Sequence, residues 1–182
     1  MREEKRYNGG RSFITRAKAA ALSGIFLAFT ITVLYLESLV PTGRLTLFAL
    51  CSFFVSVIII EAGALMGWLF YAGNSLLSFL IVPDKMSVLA YIFFFGLYGL
   101  IKYYTEKSRR VIIEYLLKLI FFNAILAAGY ILVTEFLFRQ VEFRFSLWLI
   151  IPLLEVIFIV YDYVYSMFIH YYRTKLRKIL RF

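Results

Sequence analysis

Apolar residues run along this chain in long blocks separated by short polar joints. Hydrocarbon about 30 Å thick is crossed by about 20 helical residues, so the blocks predict membrane spans. The first covers Ala17–Leu39 and ends at the turn Val40-Pro41-Thr42-Gly43-Arg44. It follows a basic N-terminus and has no small-residue cleavage site at its end, so it reads as a retained helix rather than a removed signal peptide. From Leu45 to Val82 the chain is apolar for 38 residues, with Glu61 its only ionisable group. As one helix this stretch would measure roughly 57 Å, too long for a single crossing. Glu61-Ala62-Gly63-Ala64 supplies a polar, flexible point for reversal. After the joint Val82-Pro83-Asp84-Lys85 come a fourth span to about Tyr104, a fifth from about Val111 to Phe138 and a sixth from about Phe145 to Tyr172. The expected architecture is an all-α, six-span integral membrane bundle, with a basic segment at 1–16, a membrane domain at 17–172 and a basic tail at 173–182.

Charge fixes the parity. Arg2, Lys5, Arg6, Arg11, Arg16 and Lys18 crowd the N-terminus; Lys102, Lys107, Arg109 and Arg110 form a mid-chain group; Arg173, Lys175, Arg177, Lys178 and Arg181 fill the tail. These groups hold 15 of the 20 cations, and short segments rich in Lys and Arg stay cytoplasmic. If the first two groups share a side, the stretch from Leu45 to Val82 crosses twice or not at all; a tight hairpin near Glu61 gives the double crossing. Both termini are then expected in the cytoplasm. Tyr103, Tyr104, Tyr115, Tyr165, Tyr171 and Tyr172 gather at the predicted inner boundary, as interfacial aromatic residues do.

Composition narrows the class. The 182 residues are 63% hydrophobic and 17% charged, against about 45–50% and about 25% in soluble domains. Too few polar residues exist to cover a water-facing surface, so the partner of most side chains is the lipid bilayer. Disorder, a disulfide scaffold and a free-standing nucleic-acid module are excluded on the same arithmetic. The net charge of +9 reads as topology rather than nucleic-acid binding.

Motifs of soluble enzymes are absent: there is no Walker loop, dinucleotide fingerprint, HExxH, CxxC pair or GxSxG elbow. His170 stands alone at an expected interface, and Cys51 reads as a packing residue, so neither a metal nor a cofactor is expected. Charges inside spans are costly and therefore functional candidates. Glu114 and Lys118 lie one turn apart, as an ion pair would. Glu155 and Asp162, seven residues apart, share a face that should point into the bundle, with Asp162 expected near a hydrated interface. Glu61 reads as a helix-terminus group.

At the predicted outer end, Glu37, Arg44, Lys85, Glu135, Arg139, Glu142, Arg144 and Trp148 come from different helices, with Tyr91, Asn123 and Glu155 deeper. Their competing readings are a cup for a small polar ligand and a hydrated rim of loop charges. Small residues at helical spacing (Ala17 and Ala21; Ala20, Gly24 and Ala28; Gly63 and Gly67) permit close approach of another helix, internal or from a partner.

With the segment Arg16–Ala28, RAKAAALSGIFLA, and the segment Glu37–Leu45, ESLVPTGRL, the chain resembles the substrate-binding S components of energy-coupling-factor (ECF) vitamin transporters. Those are small, basic, six-span proteins of the bacterial inner or plasma membrane with both termini inside and an alanine ridge on the first helix. The resemblance implies that Ala17, Ala20, Ala21, Gly24 and Ala28 dock on a transmembrane coupling subunit that sits with cytoplasmic ATPases. It also implies a small-molecule solute near the outer face, with Glu37, Arg44, Lys85, Arg144 and Trp148 among its contacts; Tyr91, Asn123 and Glu155 complete the candidate set. No catalytic residue is implied. The chain is also similar in size and span count to bacterial rod-shape-determining membrane proteins, which implies a scaffold. A carboxylate-dependent intramembrane enzyme is the third reading, and it requires Glu155 or Asp162 to converge with a second ionisable group.

Overall fold

The computed structural model describes residues 15–40, 42–107, 111–131 and 147–177, apart from the side chains of Arg16 and residues 147–149. Among them every regular element is a helix: α1 (Arg16–Leu39), α2 (Arg44–Ala62), α3 (Ala64–Ile81), α4 (Lys85–Thr105), α5 (Val111–Ile131) and α6 (Leu147–Tyr171), the last extended by a π-helical turn over Tyr172–Leu176. All six helices are long and apolar enough to cross a membrane, and the protein is a multi-pass membrane protein.

The long apolar block does cross twice. A single residue, Gly63, joins α2 to α3 at φ 91° and ψ 169°, a backbone conformation that side chains disfavour. Beyond it the chain doubles back so closely that a Cβ on Gly67 would lie 2.4 Å from Cγ1 of Ile59. The reversal falls two residues after Glu61, and the Gly63/Gly67 pair is consumed by packing within the chain. At the far end of the hairpin, Val82 is buried among Phe48, Cys51 and Val88.

The helix α2 is the hub, packing on α1, α3, α4 and α6. Half of the central windows of α2 and α4 is buried, against 11% in α5, which is held at the edge. What holds α5 is aromatic and ionic: Phe122 stacks on Phe158 of α6 at 4.4 Å, and Lys118 points inward. Ion pairs between helices mark the two ends of the bundle: Glu37, Arg44 and Asp84 lie at one and Glu61, Glu106 and Arg177 at the other.

Polar groups within the spans find partners inside the protein, as a bilayer demands. The hydroxyls of Thr30 and Ser78 donate to the carbonyls of Phe26 and Asn74 one turn back, at 2.8 and 2.6 Å. Helix α4 turns π-helical over Tyr91–Gly96. There the hydroxyl of Tyr71 donates to the carbonyl of Ile92 at 3.0 Å, supplying a side-chain partner where the regular helical ladder is interrupted. Two expectations for tyrosine fail: Tyr165 and Tyr172 are buried in the bundle rather than set at its interface, because their hydroxyl and ring partners lie on α2 and α6.

Candidate functional site

At the end carrying Glu37, three helices converge on one guanidinium. Nε of Arg44 lies 3.3 Å from Oε1 of Glu37, and Nη1 of Arg44 lies 3.1 Å from Oδ2 of Asp84. The hydroxyl of Ser87 lies 2.8 Å from Oδ2 of Asp84 and 3.1 Å from Oε1 of Glu37, two acceptors for its one proton. Asp84 sits here because it caps α4, accepting from the amides of Met86 and Ser87 at 3.2 and 3.3 Å. The hydrogen bond from the Ser87 hydroxyl, the largest effect, and Arg44 beyond it hold the Asp84 carboxyl below its ordinary range. Glu37 is fully buried, and its Oε2 has no hydrogen-bond partner.

The structure thus joins Glu37 and Arg44 and adds Asp84 and Ser87, which the sequence reading passed over. It does not draw the remaining candidates into the same cluster. Lys85 turns away and donates to the carbonyls of Phe79 and Val82, at 2.5 and 2.8 Å, closing the C-terminus of α3. Tyr91 is buried in the core, its hydroxyl accepting from Asn74 at 3.0 Å. Asn123 and Glu155 pair across the exposed seam of α5 and α6 at 3.3 Å. Arg144, together with Glu135, Arg139 and Glu142, lies outside the described residues, as does the side chain of Trp148.

A larger polar cluster occupies the other half of the bundle. Asp162 accepts from Tyr98 and from Lys102, and both of its oxygens lie 3.1 Å from Nζ of Lys118. Lys102 also reaches Ser166 and Glu106, each at 2.7 Å; Lys118 reaches Glu114 at 2.7 Å and Glu106 at 3.4 Å. The expected Glu114–Lys118 pair is therefore present but belongs to a network of five charged residues, joined by Tyr98 and Ser166, that spans α4 and its C-terminus, α5 and α6. Two expectations are overturned. Asp162 is 6% exposed rather than hydrated, because two ammonium groups and a phenol supply its hydrogen bonds. Lys102 is 1% exposed and is not a loop cation. Glu155 does not join Asp162 in this network; its carboxylate meets Asn123 instead.

A signal for the network was present: Tyr98, Lys102 and Glu106 recur at four-residue spacing on one face of α4. Tyr165 extends the polar interior, its hydroxyl donating to the carbonyl of Ser52 at 2.7 Å and meeting Oγ of Ser56 at 2.8 Å. Gly99 makes this possible, since a Cβ there would stand 2.7 Å from the Tyr165 hydroxyl.

Beside the network, a cleft of about 230 Å³ opens at the Glu61 end between α2, α4 and α6. Ser56 and Gly99 form its floor, Ile60 part of its wall, and Glu106, Lys107 and Arg173 its mouth. Glu61 lies nearby, paired with Arg177 at 3.1 Å while itself 1% exposed.

Comparison with family models, with known proteins and with solved structures finds no match to this chain. Among the described residues there is no cluster of His, Cys, Asp and Glu arranged to hold a metal ion. Cys51 is buried in the core beside the Thr30 carbonyl, a packing position. His170 is on the exposed side of α6.

The α1 ridge is uncovered. Ala17, Ala20, Ala21, Gly24 and Ala28 are all exposed, whereas Ala19 is 3% exposed and faces the bundle. A Cβ on Gly24 would meet nothing within 4 Å, unlike Gly67 and Gly99, which are closed by their own chain.

Proposed function

We propose that this protein is a non-catalytic membrane subunit that binds a small solute and hands it to an ATP-driven transport assembly of the ECF type. The observation that carries the reading is the bare α1 ridge. In lipid, small residues gain nothing by facing acyl chains, and they stabilise contacts chiefly by letting another helix approach closely. Five such residues on one exposed flank, on a helix whose other flank is already packed, suit a transmembrane partner. The ridge begins at the end that the cation count assigns to the cytoplasm, the side on which ATPases would sit. The solute belongs at the opposite end, where the buried Glu37 and its partner Arg44 supply orienting charge, with Arg144 and Trp148 as further contacts. The residues that hold the solute need not perform chemistry; energy comes from the partner.

The test exchanges Ala17, Ala21 and Gly24 for Leu. These positions are exposed, so the folded subunit should survive within about 0.5 kcal/mol for each change. A transporter partner that co-purifies with the parent protein is expected to be lost from the variant, while native mass spectrometry of either shows a retained small molecule. Absence of both a stable partner and a solute from the parent protein would defeat the reading. A partner without any solute would favour the scaffold instead.

A further inference from the structure

We propose that the cleft at the Glu61 end is a site for one singly charged phosphodiester, supplied by the headgroup of an anionic phospholipid. This stands apart from the solute reading and does not rest on it. Size argues first. At about 230 Å³ the cleft falls below the roughly 300–1,000 Å³ of pockets that enclose drug-sized ligands, so it suits a headgroup fragment rather than a whole solute. Shape argues second. The floor is closed and compact: the Ser56 hydroxyl is already engaged with Tyr165 at 2.8 Å, and Gly99 brings no side chain of its own. Ile59, Ile60 and Ile169 line an apolar flank along which an acyl chain can continue into the bilayer.

Charge balance chooses the ligand. Inside, Lys102 and Lys118 face Asp162, Glu106 and Glu114, leaving one net negative charge among groups largely withdrawn from water. Glu106 therefore does not repel an anion as a free carboxylate would, because both lysines are spent on it in part. At the mouth, Lys107 and Arg173 are exposed and have no ion-pair partner among the described residues. They convert the local balance to one net positive charge. A single monoanion neutralises it, and a low-dielectric surrounding favours that outcome over a dianion. A basic pocket between spans on the cytoplasmic side, the side expected for this end, is where anionic headgroups are presented.

The full-length chain, delipidated in mild detergent, is titrated with phosphatidylglycerol, phosphatidylcholine or inorganic phosphate, and the bound fraction is read by native mass spectrometry. Phosphatidylglycerol is expected to bind first and with one-to-one stoichiometry, ahead of the zwitterionic lipid. The pair Lys107→Gln and Arg173→Gln should weaken it about thirtyfold, from the attraction of an anionic surface for two cations. Both side chains are exposed, so helicity by circular dichroism should be unchanged. Ile60→Trp, which fills the flank without altering charge, should also weaken binding, whereas Lys175→Gln, a cation off the cleft, should not. Equal binding by the parent chain and the double variant would overturn the proposal, as would an equal loss with Lys175→Gln. Displacement of the lipid by inorganic phosphate would overturn the lipid assignment.

Discussion

Replacing Asp162 by Asn keeps the side-chain volume and removes the negative charge at the centre of the network. Breaking a buried pair by deleting one partner costs about 3–5 kcal/mol, because the other charge stays buried without compensation. Here the loss should fall at the low end, about 3 kcal/mol, since Lys102 keeps Glu106 and Lys118 keeps Glu114, each at 2.7 Å. The second change, Lys102→Met, removes a cation that Asp162 pairs with, so it should cost less in the Asp162→Asn background than in the parent protein. Reversible unfolding in mixed micelles of dodecyl sulfate and a mild detergent, followed by circular dichroism, gives all three free energies and closes a double-mutant cycle. A loss below about 1 kcal/mol for Asp162→Asn, the range of exposed ion pairs, would show that the network is hydrated and refute the burial argument. A cycle with no coupling would refute the pairing of Lys102 with Asp162.

Gly99→Ala should destabilise the bundle by about 1–3 kcal/mol through overpacking, as its Cβ would meet the Tyr165 hydroxyl at 2.7 Å; combining it with Tyr165→Phe should recover part of the loss in the same unfolding assay. Gly63→Ala should cost about 1–3 kcal/mol through backbone strain at φ 91°, and an equal stability for this variant would argue against the one-residue reversal. Asp84 has a folded-state pKa below its unfolded value of about 3.9. Its stabilisation is therefore complete above that value and lost as pH falls through the lower, folded one. The gap in melting temperature between the parent protein and Asp84→Asn should accordingly close in acid, and a gap that persists would contradict the assignment.

Hydrophobic length located the first, fourth, fifth and sixth crossings, because an apolar block of known rise can be compared directly with a bilayer. The reversal was also legible, since Leu45 to Val82 is too long for one passage and parity requires two. The alanine ridge could be named, and its outward face was one of two alternatives left open by spacing. Side-chain partners across helices were much less accessible. Lys102 resembles a topogenic cation when only its neighbours in the chain are considered; its burial depends on Asp162, which lies 60 positions away. Lys85 looked like a rim charge, yet its stem is long enough to fold back onto carbonyls of α3. Asn123 and Glu155 do face each other, but on a seam whose exposure depends on how far α5 sits from the hub.

The one-residue turn at Gly63 also sets an order of events during biogenesis. A connection that short cannot leave α2 in place while α3 waits outside, so the two must enter the bilayer as a single unit. Glu61 then reaches its end of the bundle long before Arg177 has been translated. Until the last helix is made, this carboxylate waits at the end of the hairpin without its cationic partner.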